Sequence, residues 1–190
     1  MTGQQIKSRA EYIIDEEIET LDAIEMINLG LNDLSLEAPR IDIIDLSLNA
    51  LSRSVTIPSD CMSIDQVYLG SSELGELDSP FSVDPSLQGK PNSFFLVGGE
   101  LRLYPLTPEA QGLSLLVQRS YGSITLLTDE ILYVPSQFQM GLVFWVLSQF
   151  KYYDDEIEEA SYYTQEYYRY RSALTQYQHN RTGYTTGGGG

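Results

Sequence analysis

The chain has 190 residues, enough for one domain, or one and a small insertion, with an ordinary core, and it carries a net charge of −16. That charge argues against ordinary nucleic-acid binding, which needs Lys and Arg clustered on phosphates, though not against DNA passing without sticking. No apolar run approaches the roughly 20 residues that span a bilayer, Met1 to Arg9 lack the apolar core of a secretion signal, and the lone Cys61 fits a reducing compartment.

In chain order, Ser8 with Glu11 makes a capping-box pattern, and Ala10, Ile13, Ile14 and Ile18 follow as a short apolar face. Seven acids between Glu11 and Glu25 repel one another and weaken this helix. A second helix is clearer, with Thr20 as its cap, Ile24, Ile27, Leu31 and Leu34 along one face, and Pro39 closing it. Past Pro39 the period falls to two. Ile44, Leu46 and Leu48 alternate with polar residues, Val55 and Ile57 do the same, and Ile64 to Leu69 reads as the next strand.

Residues Gly70 to Ser93 lack periodicity and are rich in Ser, Gly, Pro and Asp; a loop this long is functional, partner-bound or disordered. Phe94–Val97, Gly98-Gly99 and Glu100–Tyr104 make a hairpin in which two glycines supply the positive φ of a tight turn. Leu113 to Tyr121 is a further strand, and Ile124 to Tyr133 connects back to helix.

Pro135 suits a first helical turn. From there Phe138, Leu142, Trp145, Val146, Gln149, Phe150 and Tyr153 recur at three- and four-residue steps, an apolar stripe that must pack on something. Asp154 and Asp155 offer a cap and first-turn charge to a second helix, Arg169 and Arg171 suit its far end, and Ile157, Ala160, Tyr163 or Thr164, Tyr167, Tyr170, Leu174 and Tyr177 keep its period. The short connection makes the pair antiparallel. The fold class is therefore α+β: a helical bundle of N-terminal helices (residues 1–40) and a long C-terminal helical hairpin (134–177), with an inserted small antiparallel β-sheet (41–133, carrying the loop 70–93) and a flexible tail (178–190). On composition the tail reads as a linker or plain disorder.

Catalytic constellations are missing from the pattern. His179 is the only histidine, so neither a histidine-based triad nor a multi-histidine metal site can be built within one subunit. Cys61 has no nearby His to lower its pKa, and Gly98-Gly99 leads into a strand rather than into the Lys-Ser and helix of a phosphate loop. Asp15, Glu16, Glu17 and Glu19, or Asp154, Asp155, Glu156, Glu158 and Glu159, could in principle bind a hard cation. Consecutive acids on a helix point apart, however, and no EF-hand spacing is present. The expectation is a non-enzyme without cofactor or metal. Of 14 tyrosines, seven fall between Tyr152 and Tyr170. They suit a subunit interface or the cap of a small core, and both readings stay open.

The order of motifs carries a resemblance. Leu21-Asp-Ala-Ile-Glu-Met-Ile-Asn28 follows an acidic helical start, a strand ends Val55-Thr-Ile-Pro-Ser-Asp60, Gly99-Glu-Leu-Arg-Leu-Tyr-Pro105 comes next, and Val134-Pro135-Ser-Gln-Phe138 opens the helix with Leu142-Val143-Phe-Trp145. Over roughly residues 5 to 178 this resembles the head-to-tail adaptor (connector, or head-completion) proteins of tailed bacteriophages, and it is similar to the tail tubular or gatekeeper proteins of short-tailed phages. The family's pattern often has His where this chain has Gln139.

The resemblance implies a homo-oligomeric ring, usually of twelve subunits, made in the host bacterial cytoplasm and placed in the virion at the head-tail interface. The portal protein would lie above it and a tail or nozzle protein below, with dsDNA passing through unbound and no membrane or cofactor involved. On that reading Tyr163, Tyr167 and Tyr170 are subunit-interface candidates, and Asp154, Asp155, Glu158 and Glu159 candidates for an acidic channel wall. Gln178, His179, Arg181 and Tyr184 belong to a tail that orders on the portal, Arg181 pairing with an acidic portal surface. The alternatives are a gatekeeper that also anchors tail fibres through the Gly70–Ser93 loop and, more distantly, a metal-dependent hydrolase.

Overall fold

The computed structural model describes residues 1–52, 54–77, 84 and 86–182. Among them the chain is mixed α+β, with four α-helices and two small sheets. It divides into two compact units: Met1–Arg40 with the chain from Ser120 onward, and Ile41–Arg119.

The helical unit begins with α1 (Gly3–Ile14), whose capping box lies earlier than the Ser8–Glu11 pattern suggests. Thr2 Oγ1 accepts the Gln5 N–H at 3.2 Å while Gln5 Oε1 accepts the Thr2 N–H at 3.0 Å. Glu11 is used at the other end, where its carboxylate accepts the Ile18 N–H at 3.0 Å and pairs with Lys7. Asp15, left-handed at φ 58°, ends the helix. In α2 (Thr20–Glu37), Thr20 is the first helical residue rather than the cap, and the Glu19 side chain makes no capping bond. Ala23, Met26, Ile27, Gly30, Leu31 and Leu34 form its buried face.

A 3₁₀ turn (Ser136–Phe138) leads into α3 (Met140–Tyr153), which packs on α1, on α2 and on α4 (Ile157–Thr182). Leu142, Val143, Val146 and Leu147 have no exposed surface, each contributing about 1.5–3 kcal/mol of burial. Two close approaches need glycine. A Cβ on Gly30 would fall 2.8 Å from the Trp145 ring, and one on Gly141 2.8 Å from Tyr170 Cβ. Phe138 against Tyr177, Phe144 against Tyr170 and Tyr163, and Trp145 against Tyr167 show that α3 and α4 run antiparallel. Asp154 does not cap α4; it ends α3, and Asp155 turns the chain at φ 61°. The Glu156 carbonyl then accepts the first α4 bond, from Ala160 at 2.9 Å.

Two boundaries differ from expectation. The stretch 120–133, expected with the strands, belongs to the helical core through buried Tyr121, Ile124, Leu127 and Ile131. Asn28 of α2 holds it from both sides, donating to the Ile124 carbonyl at 2.9 Å and accepting the Ile124 N–H at 2.8 Å. Helix α4 also runs past Tyr177 to Thr182, so residues expected in a flexible tail are helical.

The β unit holds two four-stranded sheets rather than one. In the first, β1 (Arg40–Leu48), β8 (Gln111–Arg119), β3 (Cys61–Leu69) and β4 (Ser72–Glu73) lie in that order; in the second, β2 (Ser54–Thr56), β7 (Glu100–Tyr104), β6 (Ser93–Val97) and β5 (Gly75–Glu76). The β6–β7 hairpin pairs Val97 with Glu100 and Phe94 with Leu103 across Gly98 (φ 60°) and Gly99 (φ 80°), the two positive-φ positions of a type I′ turn. The pairs β2–β7, β3–β4, β3–β8 and β6–β7 are antiparallel, and β5 pairs with β6 in parallel. Both β4 and β5 come from the loop 70–93, whose residues 78–83 and 85 lie outside the described residues. The core of this unit is Leu48, Val67, Leu69, Phe94, Leu101, Leu103, Leu113, Leu115 and Val117.

Candidate functional site

The two acidic runs of the sequence meet at one end of the helical unit, around Lys151. This side chain stands in the last turn of α3, where a cation suits the helix dipole, and is only 5 % exposed. Its ammonium lies 2.6 Å from Glu156 Oε2, 2.8 Å from Glu16 Oε1 and 3.7 Å from Glu159 Oε2. Hydrogen bonds first to Glu156 and then to Glu16 hold it well above the ordinary lysine range, so it stays charged. One lysine thus ties the turn after α1, with Asp15, Glu16, Glu17 and Glu19, to the turn before α4, with Asp154, Asp155 and Glu156, and to the first turn of α4, with Glu158 and Glu159. Asp154, Asp155, Glu158 and Glu159 are all exposed. The result is an acidic pole facing solvent, and its long-range effect is to repel polyanions.

The tyrosine candidates are placed differently. Tyr167 is fully buried in its own core, its ring 4.8 Å from Trp145 and its phenol donating to Asp33 on α2. Burial first, then the bond to Asp33, keeps that phenol far above the usual tyrosine range. Arg171 completes the group, its NH1 reaching Asp33 Oδ2 at 3.1 Å. Tyr163 and Tyr170 are half-buried against Phe144. Exposed rings are found instead at Tyr152, Tyr153, Tyr162 and Tyr168.

Of the tail candidates, Gln178 is 1 % exposed and donates to the Tyr121 hydroxyl at 3.0 Å, which itself donates to the Ala38 carbonyl at 2.8 Å. Gln178 is therefore a core residue of the helical unit. His179 and Arg181 sit in the last turn of α4, where positive charge is favourable. Tyr184 lies outside the described residues.

Gln139, which stands out in the sequence only as a departure from the resembled pattern, is buried and joins three segments. Its amide donates to the carbonyls of Val134 at 2.7 Å and Ile131 at 3.0 Å, and its oxygen accepts from the Met1 amine. The signal available was a polar residue on the inner side of a helix start, which says that a partner exists but not which one.

Among the described residues, no group of three or more His, Cys, Asp or Glu is arranged to hold a metal ion, and no helix is long and apolar enough to cross a membrane. Cys61 is half-buried with its thiol pKa raised by burial and by Asp60, the opposite of an activated nucleophile.

A family model described as SU10 adaptor protein matches residues 1–188 of the chain. No curated protein matches it.

Proposed function

The chain belongs to the SU10 adaptor protein family, a family of phage head-to-tail adaptors, and we propose on that premise that it forms a ring beneath the portal, extends the DNA channel and presents the attachment platform for the tail. The observation that carries this reading is the extent of the match, residues 1–188, which takes in the helical and the β unit together. Membership implies a virion component.

Physical chemistry suits that role. Ring subunits bury unlike side faces on two neighbours, and twelve is the usual number that the resemblance implies. Where the acidic pole of Asp154, Asp155, Glu158 and Glu159 lines the channel, it repels phosphate and lets DNA slide without being held. At the other end of α4, His179 and Arg181 lead toward the portal contact, which takes in Tyr184 further along the chain.

Native mass spectrometry of the purified protein, alone and mixed with its cognate portal ring, tests the proposal. One copy per portal subunit is the expected stoichiometry. Failure to bind the portal in any mixture would overturn it.

A further inference from the structure

Helix α2 is apolar on two sides. Its inner face is buried, yet Leu21, Leu29 and Leu36 are 79 %, 43 % and 63 % exposed. Steps of eight and seven residues bring these leucines onto one stripe, with exposed Glu25 between the first two. A helix that is apolar front and back is covered front and back in the assembled state.

A complementary feature lies on α4. Phe138, Tyr170 and Ala173 give an apolar lining to an open groove of about 440 Å³, with Gln137, Glu166 and Arg169 completing it. Helical periodicity places this groove on the flank of α4 away from α2. Arg171 reaches back to Asp33 of α2, and Glu166, Arg169 and Ala173 fall on the other side of the helix from Arg171. Stripe and groove are thus different surfaces of the one helical unit.

Their charges also match. Glu25 and Asp22 have no ion-pair partner among the described residues, while the Arg169 side chain is 73 % exposed and holds only Glu166 on its own helix. With 11 Lys and Arg against 27 Asp and Glu, a contact that sets an acid against an arginine is one of few that lower self-repulsion.

We propose that the leucine stripe of α2 in one copy seats in the Phe138–Tyr170–Ala173 groove of the next copy, with Glu25 facing Arg169. The inference rests on the adaptor reading and names the side contact of that ring. Because it joins unlike faces, each end of a growing chain of copies still offers a free groove or a free stripe, so the contact propagates rather than stopping at a dimer, as the side contact of a ring must.

The test uses phage particles carrying this chain. On a Cys61→Ser background, Leu29→Cys combined with Ala173→Cys and treated with a short bis-maleimide should give a ladder of covalent oligomers on a denaturing gel, and each single cysteine should give monomer only. A chain present in particles without a ladder would overturn the contact while leaving the adaptor reading intact, as would dimers from Leu29→Cys alone, which signal like faces meeting. Absence of the unmodified chain from particles would instead remove the adaptor reading and the contact with it. Should the cysteines prevent incorporation, surface charge reversal decides: Glu25→Arg and Arg169→Glu should each lose incorporation and the double reversal regain it, and failure of the double to regain it would overturn the pairing.

Discussion

Lys151 Nζ lies 2.8 Å from Glu16 Oε1, joining the last turn of α3 to the turn between α1 and α2. The ammonium is buried while its partners Glu16, Glu156 and Glu159 are 44 %, 47 % and 60 % exposed, so removing it lets the acids rehydrate. Lys151→Met should therefore cost about 1–3 kcal/mol, the worth of charged hydrogen bonds, and less than the ~3–5 kcal/mol of breaking a fully buried pair. A lower urea midpoint at unchanged slope is the expected signature. A variant as stable as the parent would show that the lysine is held but not used.

The same lysine sets an alkaline limit. Its glutamate partners raise its pKa in the folded state, so the bound proton stabilises the fold. That contribution is complete below the unfolded lysine value of about 10.4 and is lost as pH rises through the higher folded value. Between pH 8 and pH 11 the parent should lose stability that Lys151→Met does not lose, as measured by urea midpoints at both pH values. Equal losses in the two proteins would contradict the sign.

Asp33 serves two groups on α4, the Tyr167 phenol and the Arg171 guanidinium. Tyr167→Phe removes one donor and leaves Asp33 paired, which should cost about 1 kcal/mol. Asp33→Ala strands a buried phenol and an arginine together, and about 2–4 kcal/mol is expected. In a double-mutant cycle the two changes should couple by at least ~0.5 kcal/mol. Simple additivity would mean that the phenol finds another acceptor.

Local order was legible in the sequence where it depends on neighbours along the chain. The Gly98-Gly99 hairpin, the α2 stripe through Ile27, Leu31 and Leu34, and the helical hairpin all follow from period and turn chemistry. What escaped was set by distant partners. Two acidic runs look like separate solvated faces until Lys151 gathers them. Tyr167 and the half-buried Tyr163 share one helical period, and only the position of α2 and Asp33 decides that Tyr167 is core. Polar composition ended the helix at Tyr177, yet Gln178 finds the Tyr121 hydroxyl and α4 continues. The strands of the β unit are short enough that periodicity does not say which sheet each joins.

Gly141→Ala sets two effects against each other. Near the start of α3, alanine gains up to ~1 kcal/mol of helix propensity over glycine. Its Cβ, however, would fall 2.8 Å from Tyr170 Cβ, an atom fixed to the α4 backbone that cannot swing aside. Overpacking of this kind costs about 1–3 kcal/mol, so the net change should be destabilising and should separate the helices of the hairpin slightly. Thermal unfolding checks the sign; a rise in Tm would show that α4 yields at no cost.

Gln139 offers the sharpest test of a buried polar link. Its side chain gives two hydrogen bonds, to the Ile131 and Val134 carbonyls, at a site 5 % exposed. Gln139→Leu keeps the volume but leaves both carbonyls without that donor, and about 2–3 kcal/mol should be lost. Histidine, when neutral, keeps one N–H to donate and one nitrogen to accept from the Met1 amine, and when protonated it has no acceptor left. Gln139→His should therefore fall between the parent and the leucine variant at pH 8, and as pH drops toward 6 the protonated ring would face the Met1 ammonium, so the variant should move away from the parent. That order in urea denaturation would identify donation to the carbonyls as the stabilising feature. A leucine variant within about 0.5 kcal/mol of the parent would mean that the turn from Ile131 to Val134 is held by its apolar contacts alone.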